Sequence, residues 1–101
     1  MPLLAISIVR FVDGTQPGIV ACEFFDADQR KHTLIDKVPL FTTLELWTDS
    51  EYPQPGEVGC RVLEKFRDEG GRELVRIATL EAADGETEFV VLSSQVVPDL
   101  V

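Results

Sequence analysis

The sequence predicts an all-β protein: a small, partly open antiparallel β-barrel of the SH3-like or OB-like kind, with about six strands and little or no helix. Three observations lead there. Apolar residues recur with a period of two along most of the chain, the spacing of half-buried strands. Turn signals rich in Gly, Asp and Pro interrupt those runs at short intervals. The chain has 101 residues, the size of one domain (1–101) and thin for two full sheets, whereas closing a sheet removes exposed edges.

The elements follow in order. Segment 3–13, rich in Leu, Ile, Val and Phe, is a strand that stops at Asp13-Gly14, with Pro17-Gly18 strengthening the turn. Segment 19–26 is a second strand, ending at the polar tip Asp26-Ala27-Asp28-Gln29. Segment 30–38 returns from it, with His32, Leu34 and Asp36 on one face and Lys31, Thr33, Ile35 and Lys37 on the other. Pro39 ends that strand, because proline cannot donate to a central ladder. Residues 39–57 form an irregular loop between two strand groups. Within it, a short edge strand and a single helical turn compete over 42–48, and Pro53-Gln54-Pro55-Gly56 reads as a connector. Alternation resumes at Val58, Cys60 and Val62 in a strand over 58–67. Asp68-Glu69-Gly70-Gly71 is a hairpin tip, since glycines supply the positive φ of a tight turn. The partner strand covers 72–81, Asp84-Gly85 marks a turn, and a last strand runs over 87–92. Ser93-Ser94-Gln95 is a short turn of 3₁₀ type before Val96-Val97. Expected pairings are 3–13 with 18–26, 19–26 with 30–38, and 58–67 with 72–81. The expected core is Ile6, Ile8, Val20, Cys22, Phe24, Leu34, Val62, Val75, Ile77 and Phe89.

Composition excludes several functions. The net charge is -9 and the pI about 4.4. Nucleic-acid affinity comes largely from Lys and Arg neutralising phosphates, so DNA and RNA are not expected partners. An anionic membrane surface is excluded on the same ground. No run approaches the ~20 apolar residues that span a bilayer. Residues 1–10 lack the basic region and cleavage site of a signal peptide, so the expected location is cytoplasmic. In that compartment Cys22 and Cys60 stay reduced, and both lie in apolar contexts that suit small buried side chains.

Residues able to carry chemistry are few. His32 is the only histidine. A base role toward Cys22 or Cys60, oriented by Asp26, Asp28 or Asp36, would follow nucleophile–base–acid logic. No nucleophile elbow or thiolate-favouring setting accompanies it, so the expected reading is a surface or structural histidine beside a hairpin tip. Two Cys and one His fall short of a zinc ligand set unless carboxylates are recruited. Glu81, Asp84, Glu86 and Glu88 flank a turn but lack the regular order of a calcium loop. No Gly-rich phosphate cradle opens a helix. Catalytic residues, metals and cofactors are therefore none in this reading.

Charge placement says more. Residues 38–60 carry four acids and 77–101 carry five, with no Lys or Arg in either stretch, and the remainder of the chain sums to zero. The first stretch also holds Trp47 and Tyr52: aromatic rings are favoured interface anchors, while a single Trp also suits a plug at one end of the barrel. Acid of this kind keeps a small protein soluble; the alternative is a recognition surface of Trp47, Tyr52, Glu45 and Asp49 together with Glu81, Glu86 and Glu88, facing a basic protein.

The runs Phe25-Asp26-Ala27-Asp28-Gln29-Arg30-Lys31-His32, Asp36-Lys37-Val38-Pro39 and Tyr52-Pro53-Gln54-Pro55-Gly56, followed by Cys60, resemble a family of short, uncharacterised bacterial proteins. The resemblance covers about residues 8–95. It implies a bacterial origin and carries over no activity and no site residue, because the shared positions are turn and strand residues. Two functional expectations result. The preferred one is a non-enzymatic, acidic protein-interaction module, inhibitor-like or immunity-like. The alternative is a small-ligand-binding protein or enzyme with a pocket under the 40–57 loop.

Overall fold

A computed structural model describes residues 1–14 and 17–98. The Thr15-Gln16 part of the first predicted turn, and Asp99 of the second acidic stretch, lie outside the described residues. The strands are β1 (Leu3–Asp13), β2 (Ile19–Phe25), β3 (Lys31–Lys37), β4 (Gln54–Gly59), β5 (Arg61–Arg67), β6 (Glu73–Ala78), β7 (Glu88–Leu92) and β8 (Val96–Val97). One antiparallel sheet has the order β3-β2-β1-β4, with β8 also paired to β1; the second is β5-β6-β7. No ladder joins the two into a closed barrel among the described residues. Among the described residues no helix is long and apolar enough to cross a membrane.

β1 organises the larger sheet. Along one edge its residues Leu3 to Ile8 pair with Gly59 to Gln54 of β4. Along the other edge Leu3 and Leu4 pair with β8, and the stretch from Ser7 onward pairs with β2. Leu4, Ile6 and Ile8 alternate inward and are buried. Strict alternation would next turn Arg10 into the core. A register shift between Ile8 and Arg10 inserts the extra residue of a β-bulge, so Arg10 faces outward and Phe11 packs on the core.

Of the ten expected core residues nine are buried, and Val62 is partly buried against them. Three boundaries differ from expectation. The long strand at 58–67 is in fact two strands in different sheets, separated at Cys60. That corner is held by the Cys60 N–H on the Pro2 carbonyl (3.0 Å) and by the Thr79 hydroxyl on the Gly59 carbonyl (2.8 Å). The connector at 53–56 is mostly strand: β4 lies at a sheet edge, where a proline such as Pro55 costs no ladder bond. Residues 42–48 form neither strand nor helical turn. The only helical turn near them is a 3₁₀ turn at Val38–Leu40, led by Pro39. The expected 3₁₀ turn at Ser93–Gln95 is present.

Polar bridges tie the β2–β3 hairpin to the second sheet. Ala27 N–H donates to the Val90 carbonyl (2.9 Å), and Ala83 N–H to the Thr33 carbonyl (2.8 Å). Arg72 Nη1 donates to the Ala27 carbonyl at 2.9 Å, and Gln95 Nε2 to the Phe25 carbonyl at 2.8 Å.

Gly56 is the tightest point of the first sheet. A Cβ there would stand 2.8 Å from the Phe41 carbonyl and 2.9 Å from the Cδ1 atoms of Ile6 and Ile8. Gly56→Ala is therefore expected to lower unfolding stability by ~1–3 kcal/mol, the usual cost of overpacking. Urea denaturation measures this, and an unchanged midpoint would contradict the close approach.

Candidate functional site

The residues after β3 build a cleft. Phe41 and Leu46 are buried and act as two plugs, so the chain between and after them is held against the body at both points. Phe41 N–H bonds the Val38 carbonyl (2.9 Å), and the Phe41 carbonyl accepts from Glu57 N–H of β4 (2.9 Å). Along this segment lies a cleft of about 650 Å³, lined by Phe11, Pro17, Val38, Pro39, Leu44, Leu46 and Trp47 and by Thr42, Thr43 and Thr48. Among the described residues Glu45 is its only charged lining residue.

Trp47 is 53% exposed and Leu44 60%. The backbone around Trp47 is fixed, although its ring is not buried. Its N–H donates to Ser50 Oγ (2.9 Å), while its carbonyl accepts the Ser50 N–H (3.1 Å) and the Tyr52 hydroxyl (2.7 Å). A large, half-exposed ring thus lines a largely apolar cleft whose size lies in the range of ligand pockets.

The expected surface residues are distributed unevenly. Trp47 and Glu45 line the cleft; Asp49 is exposed beside them. Tyr52 is a strut, packed on the core and bonded to the Trp47 carbonyl. Glu81 and Glu86 are exposed on the turn before β7. Glu88 is engaged across the sheet, 2.8 Å from Arg76 Nη1. No residue of 81–88 lines the cleft. The two acidic stretches meet different parts of β3: the cleft segment continues from its end at Lys37, while the 82–86 turn docks on Thr33.

A second constellation surrounds His32, which is not a surface residue: it is 8% exposed. Its parity with Leu34 turns it inward, where its ring lies tilted against Phe24 (centroids 5.3 Å) and edge-on to Phe89 (4.7 Å), the two phenylalanines also meeting edge to face. Nε2 donates to Asp26 Oδ2 at 2.8 Å. Nδ1 is buried with no hydrogen-bond partner. A ring nitrogen of His32 and one carboxylate oxygen each of Asp84 and Glu86 lie within 4.8 Å of one another. Sequence reasoning considered the Asp26–His32 pair but not the approach of Asp84 and Glu86, which arrive through the 82–86 turn. The signal available was the inward parity of position 32.

Neither cysteine completes a nucleophile–base pair. Cys22 pairs with Leu34 in the ladder and Cys60 sits at the strand corner. Both are free and buried. Burial pushes the Cys22 thiol up to about 12 and raises that of Cys60, the opposite of what a reactive thiolate requires. Neither family models, nor curated proteins, nor solved structures yield a match to this chain.

Two outcomes are expected. Native protein should alkylate slowly with iodoacetamide at both thiols, and both should react once the chain is unfolded; fast labelling of native Cys22 would contradict its burial. The second concerns Asp26. Burial alone would raise its carboxyl pKa, but the hydrogen bond from His32, the N–H groups of Arg30 and Asp28, and the charge of His32 outweigh burial and lower it. A depressed folded-state value gives stability that is complete above the unfolded value and is lost as pH falls through the folded one. Below about pH 4, wild type should therefore lose more stability than Asp26→Asn. Equal acid sensitivity of the two would show that the pair contributes nothing.

Proposed function

We propose that this protein is a non-enzymatic, acidic binding module that holds a basic partner protein at the cleft along residues 38–48, in the manner of a small inhibitor or immunity protein. One observation supports this above the others: Trp47 stands half-exposed at an apolar cleft in a stretch with acids and no Lys or Arg. The partner inserts an apolar side chain or the stem of a Lys or Arg beside Trp47 and Leu44. Glu45, Asp49 and Glu51 meet its charge, which steers encounter more than it adds affinity. The two sheets, bridged at Ala27, Thr33 and Gln95, we read as a partly open barrel that carries this rim. The volume of the cleft also favours a second reading, a small apolar ligand held without a protein partner.

The test is co-purification from native lysate, followed by titration of the recovered protein. The chain has one Trp, so emission reports on the cleft directly. The expected partner is basic and shifts Trp47 emission. Its affinity falls as salt rises from about 50 mM to about 0.5 M, and falls at least ~10-fold with Leu44→Ser, a loss of ~1.4 kcal/mol. Recovery of the same proteins by Trp47→Ala and Leu44→Ser would overturn the proposal. A small molecule retained in native mass spectra, insensitive to salt and displaced in Leu44→Ser, would select the second reading.

A further inference from the structure

We propose that His32, Asp84 and Glu86 form a binding site for a zinc-class transition-metal dication, with Asp26 as the outer carboxylate that orients the histidine. The site is distinct from the cleft and does not depend on how the cleft is used.

The first ground is the unpartnered nitrogen. His32 is more than nine-tenths buried, and its Nε2–H is committed to Asp26. In the neutral ring Nδ1 then carries the lone pair, and it has no partner. Buried polar atoms are nearly always satisfied, so an exception asks for an explanation, and a missing ion is one of the recognised kinds. A metal on Nδ1 would supply the missing partner. Histidine ligands commonly give their other ring N–H to a carboxylate, which fixes tautomer and ring orientation. Asp26 already holds that position, with two backbone N–H groups, Asp28 and Arg30, bonded to its other oxygen at 2.8 and 3.0 Å.

The second ground is the pair of carboxylates. Asp84 and Glu86 each bring a carboxylate oxygen within 4.8 Å of a ring nitrogen of His32 and of each other. Around tetrahedral zinc, with bonds of ~2.0–2.1 Å, donor atoms stand ~3.4 Å apart. The donor atoms therefore have at most about 1.4 Å to close. Both acids are exposed, so side-chain rotation can close it without moving the backbone. The backbone that carries them is fixed. Ala82 N–H bonds the Glu86 carbonyl (2.8 Å), Gly85 N–H the Ala82 carbonyl (2.9 Å), and Ala83 N–H the Thr33 carbonyl of the neighbouring sheet. Gly85 has φ +91°, the left-handed conformation that the turn needs and that glycine adopts without strain. Asp84 Oδ1 accepts the Glu86 N–H at 3.1 Å, which leaves Oδ2 for a ligand.

The donor set selects the metal. One imidazole and two carboxylates suit zinc, manganese, iron or cobalt, whereas calcium and magnesium prefer oxygen alone. Three protein donors leave a fourth position for solvent.

The test uses the full chain stripped with EDTA and titrated calorimetrically with zinc chloride, with magnesium and calcium chloride in parallel. The expected result is one equivalent of zinc, a rise in melting temperature with zinc, and no comparable response to magnesium or calcium. The double substitution Asp84→Asn with Glu86→Gln lies on an exposed turn and should leave folding intact while weakening zinc at least ~10-fold, a change of ~1.4 kcal/mol. Glu57→Gln on β4 should bind as wild type does. Zinc should also shift the Nδ1 resonance of His32 in nitrogen NMR, which a merely structural histidine would not show. Absence of saturable zinc binding, equal binding of calcium, or undiminished zinc binding by the double variant would overturn the proposal.

Discussion

The missing side chain at Gly56 is the constraint on which the larger sheet and the cleft both depend. Gly56 faces Ile6 across the β1–β4 ladder, and the space a Cβ would take is already filled by the ends of Ile6 and Ile8 and by the carbonyl of Phe41. That carbonyl is also the acceptor for Glu57 N–H. The first residue of the long loop is thereby fastened to the edge strand at the point where β1 has its most buried residues. From there the chain can swing outward to Leu44 and Trp47 and return at Leu46 without losing its footing. A bulkier residue at 56 would press on the Phe41 carbonyl and on the ends of Ile6 and Ile8 at once.

Much of the architecture was legible in the sequence because strand burial has a period of two and the turns are made by residues with few alternatives. The β1–β2, β2–β3 and β5–β6 pairings follow from those signals. What was hidden had local causes. Pro53-Gln54-Pro55-Gly56 looks like a connector, and only its position at a sheet edge lets it be a strand. Cys60 continues the alternation of Val58 and Val62, so nothing local marks it as the place where the chain changes sheets. The bulge near Val9 is equally silent: without it, the pattern Leu4, Ile6, Ile8 would have run on to Arg10.

The candidate sites show the same division. Trp47 stood out by its residue type, and its exposure followed from the plugs at Phe41 and Leu46, which sequence does not distinguish from Leu44. His32 had the parity of a buried residue, yet its polarity and the nearby hairpin tip argued for the surface. Its environment is assembled from Phe24, Phe89, Asp84 and Glu86. The last three lie more than fifty positions along the chain, and no local pattern relates them to position 32.

β8 has a consequence for synthesis. Val97 pairs with Leu3 and Val96 with Leu4, so the first residues of β1 find one of their neighbours only after some ninety further residues, through Val97, have been made. Until then the apolar start of β1 presents an unpaired edge, the feature that invites contact with other nascent chains. Closure between such distant positions also makes folding slow relative to its stability, because the entropy of a long loop is lost before the contact forms. Gln95 anchors the turn that leads into β8: its side chain holds the Leu92 N–H and the Phe25 carbonyl (both 2.8 Å).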